Sequence, residues 1–145
     1  MKVLAGTGMS TARDAADAGR EAARAAVAGL GGQPPALVIV FTTRRYDLSE
    51  LLVSIRAVTG SAILTGATGA GQIVRGEHMG FGCGVGVLAL TSGQYRFGLA
   101  STCLAGADLD RAGQEIARAS GAAAGPSPYS AIMLLADSLA ACRNW

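Results

Sequence analysis

The sequence predicts an α/β fold: a mixed parallel/antiparallel sheet with flanking helices, in which a β-α-β unit is followed by a β-hairpin. Three observations predict it. The run "ALVIVF" at 36–41 is continuously apolar and rich in β-branched residues, as in a strand covered on both faces. Behind it, "LSELLVSIRAVTG" carries Leu48, Leu51, Leu52, Ile55 and Val58 on one helical stripe and leads into a short strand at 61–64, "SAIL". Such a unit is right-handed and parallel. Beyond residue 80 the helical period is gone. Val85, Val87 and Ala89, then Tyr95, Phe97 and Leu99, alternate on either side of "TSGQ", which reads as a hairpin over 83–101.

The remaining elements follow in order. Residues 2–5 form a short apolar segment, expected as a first strand, and "GTGMS" follows as a turn. Thr11 with Asp14 makes a T-x-x-D capping box at the start of a long helix near 11–29. Ala12, Ala15, Ala16, Gly19, Ala22, Ala23, Ala26 and Leu30 mark its inward face, and Gly31-Gly32 with Pro34-Pro35 stop it. Asp47 or Ser49 caps the second helix. A third helix runs from about Asp108 to Gly121, "GAAAGPSPYS" is a linker by composition, and "AIMLLA" at 131–136 is a further buried strand. "PPALVIVFTTRRYDLSELL" and "PYSAIMLLADSLAACRNW" share an order of proline, apolar strand, polar break and helix start, a weak internal echo. It suggests a second β-α unit beginning where the chain ends. Residues 137–145, with Leu139 and Trp145, are then expected to present apolar surface without a partner inside the chain, and the chain either to form a homodimer or to be marginally stable.

Composition bounds the function. The 145 residues suggest one domain or most of one. Half are hydrophobic and 15% charged, which supports a buried core. A net charge of +2 with interleaved signs gives no basic stripe for a nucleic-acid backbone. Cys83, Cys103 and Cys142 are far apart and odd in number, which suits neither a disulfide framework nor a zinc site. The N-terminus has no signal-peptide pattern, and the longest apolar run, "GFGCGVGVLAL", has 11 residues where a membrane span needs ~20. The expected location is the cytoplasm, without membrane or nucleic-acid partners.

The stretch "ILTGATGAGQIV", 63–74, carries the functional question. It invites a dinucleotide reading, and Thr65, Gly66 and Gly69 begin a T-G-x-x-G-x-x-G pattern, but that pattern needs a third glycine where Gln72 stands, a helix behind it, and an acidic residue about 20 positions on. None is found, and no helix is expected over 70–82. Two readings remain. Thr65–Gly71 is a tight connection that needs positive φ at Gly66, Gly69 or Gly71. Alternatively, it is a backbone nest at a strand end. There Thr65, Gly66, Thr68, Gly69 and Gly71 would hold a small carboxylate, with Arg44, Arg45 and Tyr46 from the neighbouring loop at the same rim. No catalytic set assembles: His78 beside Glu77 reads as a solvated loop histidine, and no metal site can be built from one histidine and scattered cysteines.

The order "ALVIVF…YD…LL…IR…G", then "ILTGATGAGQI", a hairpin and an Ala-rich helix, resembles the N-terminal FIST domain. Phe41, Tyr46 and Asp47 match its strand end and "YD" helix start. Gly66, Thr68, Ala70, Gly71 and Ile73 match its G-C-S-T-A-G-E-I-like turn, with Ala67 in place of the Cys and Gln72 in place of the Glu. Gly8, Ser10, Asp14 and Ala22–Ala23 match its opening pattern. The resemblance implies a reduced or truncated sensory module of intracellular signal transduction. It would bind an amino acid or other small carboxylate and pass its state to a signalling output protein or domain. Some members bind haem, for which His78 would be the imidazole ligand and Cys83 the thiolate alternative. A nucleotide-dependent reductase is the competing enzyme reading.

Overall fold

A computed structural model describes residues 2–80, 82–102 and 108–136. The chain divides into two compact units, Met1–Tyr95 and Arg96–Trp145. The first contains β1 (Ala5–Ser10), α1 (Ala15–Ala28), β2 (Leu37–Thr43), α2 (Leu48–Thr59), β3 (Ile63–Gly69), β4 (Ile73–Val74), β5 (Glu77–His78) and β6 (Val85–Leu90); the second contains α3 (Leu109–Ala124).

The main sheet has four strands in the order β1-β6-β2-β3. β6 is antiparallel to both neighbours, while β2 and β3 are parallel, so β1, β2 and β3 all point the same way. β4 and β5 form a separate two-stranded hairpin. The α/β class, the mixed sheet and the β-α-β unit over β2, α2 and β3 are as the sequence predicts.

The core lies between one face of the sheet and the two helices. Val38 and Val40 of β2, and Val85, Val87 and Ala89 of β6, pack in one cluster with Ala15, Ala18, Ala22, Ala23 and Ala26 of α1 and Leu51 and Ile55 of α2. These side chains alternate along each strand, so one face of the sheet supplies them all. Where β1 passes under α1 the facing positions are glycines. A Cβ on Gly8 would overlap the Ala22 carbonyl oxygen and stand 2.7 Å from the Ala26 nitrogen. One on Gly6 would overlap the Ala26 carbonyl oxygen, and one on Gly19 would collide with the Ser54 hydroxyl of α2. Helix and strand therefore approach at backbone distance. The hairpin covers part of the opposite face: Val74 occupies the space a side chain at Gly86 would need, and Met79 lies against Gly84.

Several elements differ from expectation, each for a physical reason. The first strand lies at 5–10, not 2–5, because its glycines form a strand that a helix presses on, not a turn. Thr11 does not cap α1: the cap is Asp14, whose carboxylate accepts from the Asp17 amide at 2.8 Å. Asp47 caps α2 as expected, accepting from the Glu50 amide. No strand forms at 94–101, because β6 is already paired on both edges and offers none to a hairpin partner; the hairpin is at 73–78. Residues 131–136 form no strand and are exposed. A run of this kind becomes a strand only where a sheet edge accepts it. Among the described residues of 70–82 no helix occurs, as expected. Residues 137–145, with Leu139 and Trp145, lie outside the described residues, as do Cys103 and Cys142.

The glycine contacts give a matched pair of tests. Gly8→Ala forces α1 off the sheet and should cost about 3 kcal/mol or more, or abolish folding. Gly113→Ala, in α3 with open space where its Cβ would stand, should stabilise by about 0.5–1 kcal/mol. Urea denaturation followed by circular dichroism measures both. Equal effects at the two positions would show that the close packing does not govern stability.

Candidate functional site

The carboxyl ends of β1, β2 and β3 share one edge of the sheet, and the register aligns them. Ser10 pairs with Val85, Val85 with Thr42, and Thr42 with Thr68. Three hydroxyls therefore lie in one transverse row, on the helix-facing side of the sheet. Two are engaged. Ser10 Oγ donates to Glu21 Oε2 at 2.6 Å and accepts from the Ala12 amide. Thr42 Oγ1 donates to the Gly84 carbonyl at 3.2 Å. Thr68, on the edge strand, is exposed. One residue on, Thr43 is locked to Gly84 by its amide, at 2.9 Å to the carbonyl, and by its hydroxyl, which accepts from the Gly84 amide at 3.2 Å.

The structure separates the residues that the sequence reading groups together. Thr65–Gly69 are not a turn: β3 continues through them, paired residue for residue with Ile39–Thr43. Only Ala70, Gly71 and Gln72 connect β3 to the hairpin. Gly66 is needed for close approach, since a Cβ there would overlap the Val40 carbonyl oxygen. Gly69 and Gly71 are not among the positive-φ glycines, so the turn reading based on left-handed backbone fails at both.

Thr65, Gly66 and Thr68 line a cleft of about 250 Å3 between β3 and α2, completed by Val40, Thr42, Leu48, Leu52, Leu64 and Ala67. Leu48 and Leu52, expected inward with Leu51 and Ile55, are 42% and 40% exposed; they form the cleft's wall, not core. Arg44 and Arg45 are exposed in the turn between β2 and α2, which leads into the end of the cleft that Leu48 and Thr68 border. A larger recess of about 400 Å3 lies at the opposite end of the helices, lined by Val27, Pro34, Pro35 and Val58 and by no charged side chain. It touches none of the expected site residues.

Tyr46 is not at the rim. It is buried, and its hydroxyl donates to the Ala12 carbonyl at 2.7 Å, tying the start of α2 to the segment before α1. Burial, with smaller effects from Cys83 and Glu21, pushes its phenol up to about 12. Sequence reasoning also missed Gln72, read only as the residue that spoils a glycine motif. It is 7% exposed, and its Nε2 has no hydrogen-bond partner among the described residues. A lone polar residue after a glycine turn gives no sequence signal of burial; only the hairpin folding back, with the Met79 amide donating to the Gln72 carbonyl at 2.9 Å, reveals it. His78 is exposed on β5. Among the described residues no group of three or more His, Cys, Asp and Glu side chains could hold a metal ion, and no helix is long and apolar enough to cross a membrane.

Tyr46 yields a pH prediction. Its folded-state phenol stands above the ordinary value of 10.0, so the stability it contributes is full below pH 10 and is lost as pH rises towards about 12. Tyr46→Phe should cost about 1 kcal/mol at neutral pH, from the lost bond to Ala12. It should also flatten the fall in stability above pH 10 relative to the parent. Denaturant midpoints of the two proteins from pH 8 to 12 check both expectations.

Comparison with known proteins places this arrangement. No curated protein matches the sequence. Among solved structures, the chain is similar to an FtsZ-like protein of unknown function from Nostoc punctiforme, at 18% identity over 63% of this chain and 91% of that one, with a TM-score of 0.30. The family model of the FIST N domain matches residues 36–144. That match takes in β2, α2, β3, the β4–β5 hairpin, β6 and α3, and with it the chain belongs to the FIST N domain family, a family of sensory domains of signal transduction.

Proposed function

We propose that the chain is the ligand-binding part of an intracellular signalling system, and that it takes an amino acid or another small carboxylate at the end of β3. The observation that carries this reading is the cleft between β3 and α2. Val40, Leu48, Leu52 and Leu64 give it an apolar wall for a short aliphatic group, and Thr42 and Thr68 give it hydroxyls. Arg44 and Arg45, in the turn at the Thr68 end, supply cations that suit a carboxylate through charge-assisted hydrogen bonds. Gly66 keeps the floor of the cleft free of side chain. Gly69 ends the strand beyond it, and Gly71 lies in the connection to the hairpin. A mostly apolar cleft with a few polar groups at the carboxyl end of parallel strands is the usual setting for a small ligand in an α/β sheet.

The sensory output follows from the same geometry. α2 stands on one wall of the cleft, and β3 on the other is an edge strand. A ligand between them bears on the helix that Tyr46 anchors to Ala12, so occupancy reaches the start of α1 through one hydrogen bond. A partner protein or domain that contacts α2 would read this change.

Calorimetry with a panel of amino acids and small organic acids tests the reading. A carboxylate should bind the parent chain at millimolar concentration or tighter. Arg44→Ala and Arg45→Ala together should weaken it by roughly tenfold, the worth of one charge-assisted hydrogen bond, with melting unchanged. Leu52→Asp should abolish binding by placing a like charge in the cleft wall. Binding unaffected by all three changes, or no binding by any carboxylate, would remove the reading.

A further inference from the structure

β3 is the outer strand of the main sheet beyond β2. An open strand edge is a template for another strand, and proteins commonly blunt it with lysine, proline or a bulge. β3 runs for seven residues, ILTGATG, without charge or proline, and pairs with β2 residue for residue. The Ile63 amide donates to the Ala36 carbonyl at 2.9 Å, so Ile63 turns its backbone groups toward β2. That direction alternates along a strand. Leu64, Gly66 and Thr68 therefore turn theirs toward the open edge.

The helix above this edge is also uncovered. Leu51 and Ile55 of α2 pack with Val38 and Val40, while Leu48 and Leu52 stand over β3 as the cleft wall. Leu48 and Leu52 are exposed, and Val53 beside them is 70% exposed. α1, over the other outer strand, has no large hydrophobic side chain so exposed, which sets the β3 edge apart from the β1 edge. α2 begins at the end of the sheet where Thr42 pairs with Thr68. Four helical residues and two strand residues each span ~6 Å, so Leu52 stands level with Gly66.

We infer that the β3 edge is the interface with a second copy of this chain, which adds its own β3 antiparallel across a two-fold axis at Gly66. The edge groups set the register. Gly66 pairs with Gly66 of the partner subunit, and Leu64 with the partner's Thr68, each pair exchanging two hydrogen bonds. An axis at Thr65 or Ala67 would set one of the three against a residue outside β3. The same axis brings the helices to contact. α2 lies over β2 and β3, and strands are ~4.8 Å apart, so the two copies of α2 stand ~10 Å apart, the spacing at which helices pack. They cross antiparallel beside Leu52 and Val53, which sets Glu50 alongside Arg56 of the partner subunit. Arg56 already donates to the Gly60 and Ala62 carbonyls, and a guanidinium has donors enough to hold a carboxylate as well. The carboxylate reading takes no part in this, since neither Arg44, Arg45 nor a ligand enters it.

Sedimentation of the full chain tests the inference. It should show a reversible dimer at micromolar concentration. Val53→Lys sets two ammonium groups against each other near the axis and should raise the dissociation constant about tenfold or more, with circular dichroism unchanged. Glu50→Lys should weaken the dimer in the same direction. Ile73→Lys, at an exposed position of the β4–β5 hairpin, should leave it intact. Amide hydrogen exchange identifies the strand pairing itself. The Leu64, Gly66 and Thr68 amides should be protected in the parent and exchange freely in Val53→Lys at the same concentration. The Thr65 and Ala67 amides, which face β2, should stay protected in both. A parent chain that remains monomeric at submillimolar concentration overturns the inference. So does a dimer that Val53→Lys leaves intact, or one in which the Leu64, Gly66 and Thr68 amides exchange as freely as in the monomer.

Discussion

The first unit depends on how closely α1 lies against β1. Gly6 and Gly8 have no side chains where the helix crosses, and the helix meets them with the carbonyls of Ala22 and Ala26. On its other side Gly19 lets α2 come up to the Ser54 hydroxyl and the Leu51 carbonyl. Small residues bury little area each, so such a contact gains from dispersion between closely packed backbones more than from any one side chain. It is also unforgiving, because a backbone carbonyl cannot rotate out of the way as a leucine can. The large buried side chains, Leu30, Leu51, Ile55, Val38 and Val85, fill the space left beneath the two helices.

That packing positions the edge of the sheet where β1, β2 and β3 end. With α1 fixed over β1, the Ser10 hydroxyl reaches Glu21 in the second turn of the helix, and the segment between them delivers the Ala12 carbonyl to Tyr46. Tyr46 in turn fixes where α2 begins. The same rule operates at β3 with a different result. Gly66 is bare because the Val40 carbonyl occupies its side-chain space, but here α2 does not descend to backbone contact. Its Leu48 and Leu52 stand off from the strand, and the gap is the cleft.

How much of this was legible follows from what each segment announces. "ALVIVF" and the stripe of α2 carry their own period, and both elements appear within two residues of their expected places. Asp47 and Asp108 announce their caps as side chains that accept from the following amides. The glycine-rich strands were not legible. "GTGMS" and "TGATG" read as turns because glycine has low strand propensity, yet Gly6, Gly8 and Gly66 are there for the approach of another backbone, which depends on residues 14 or more positions away. The hairpin over 83–101 failed for a related reason. Alternation over Val85, Val87 and Ala89 identifies a strand but not its neighbours, and both edges of β6 were taken by segments earlier in the chain. Of the candidate site, the sequence named the residues at the end of β3 and the arginines of the neighbouring turn, but not the burial of Tyr46 and Gln72, since each is set by a segment that folds over it.

Gln72 shows why position and residue type have to be read together. The FIST-like turn pattern has Glu before the isoleucine, and this chain has Gln in a site that is 7% exposed. A carboxylate there would lose most of its hydration and would need either a cation or a proton. The amide keeps the shape and removes that demand, at every pH, but leaves a donor that still needs an acceptor. Both polar atoms of that amide lie within 4 Å of where a Cβ on Gly69 would stand. The charged side chains of the neighbouring turn, Arg44 and Arg45, are instead solvent-exposed. The end of β3 thus presents two environments of opposite character. One is cationic and open beside an apolar cleft; the other is neutral and enclosed around one amide edge. Water solvates the charges of the first, while a polar group in the second is satisfied only where a donor meets an acceptor. The strand backbone between Thr68 and Gly69 keeps the two apart.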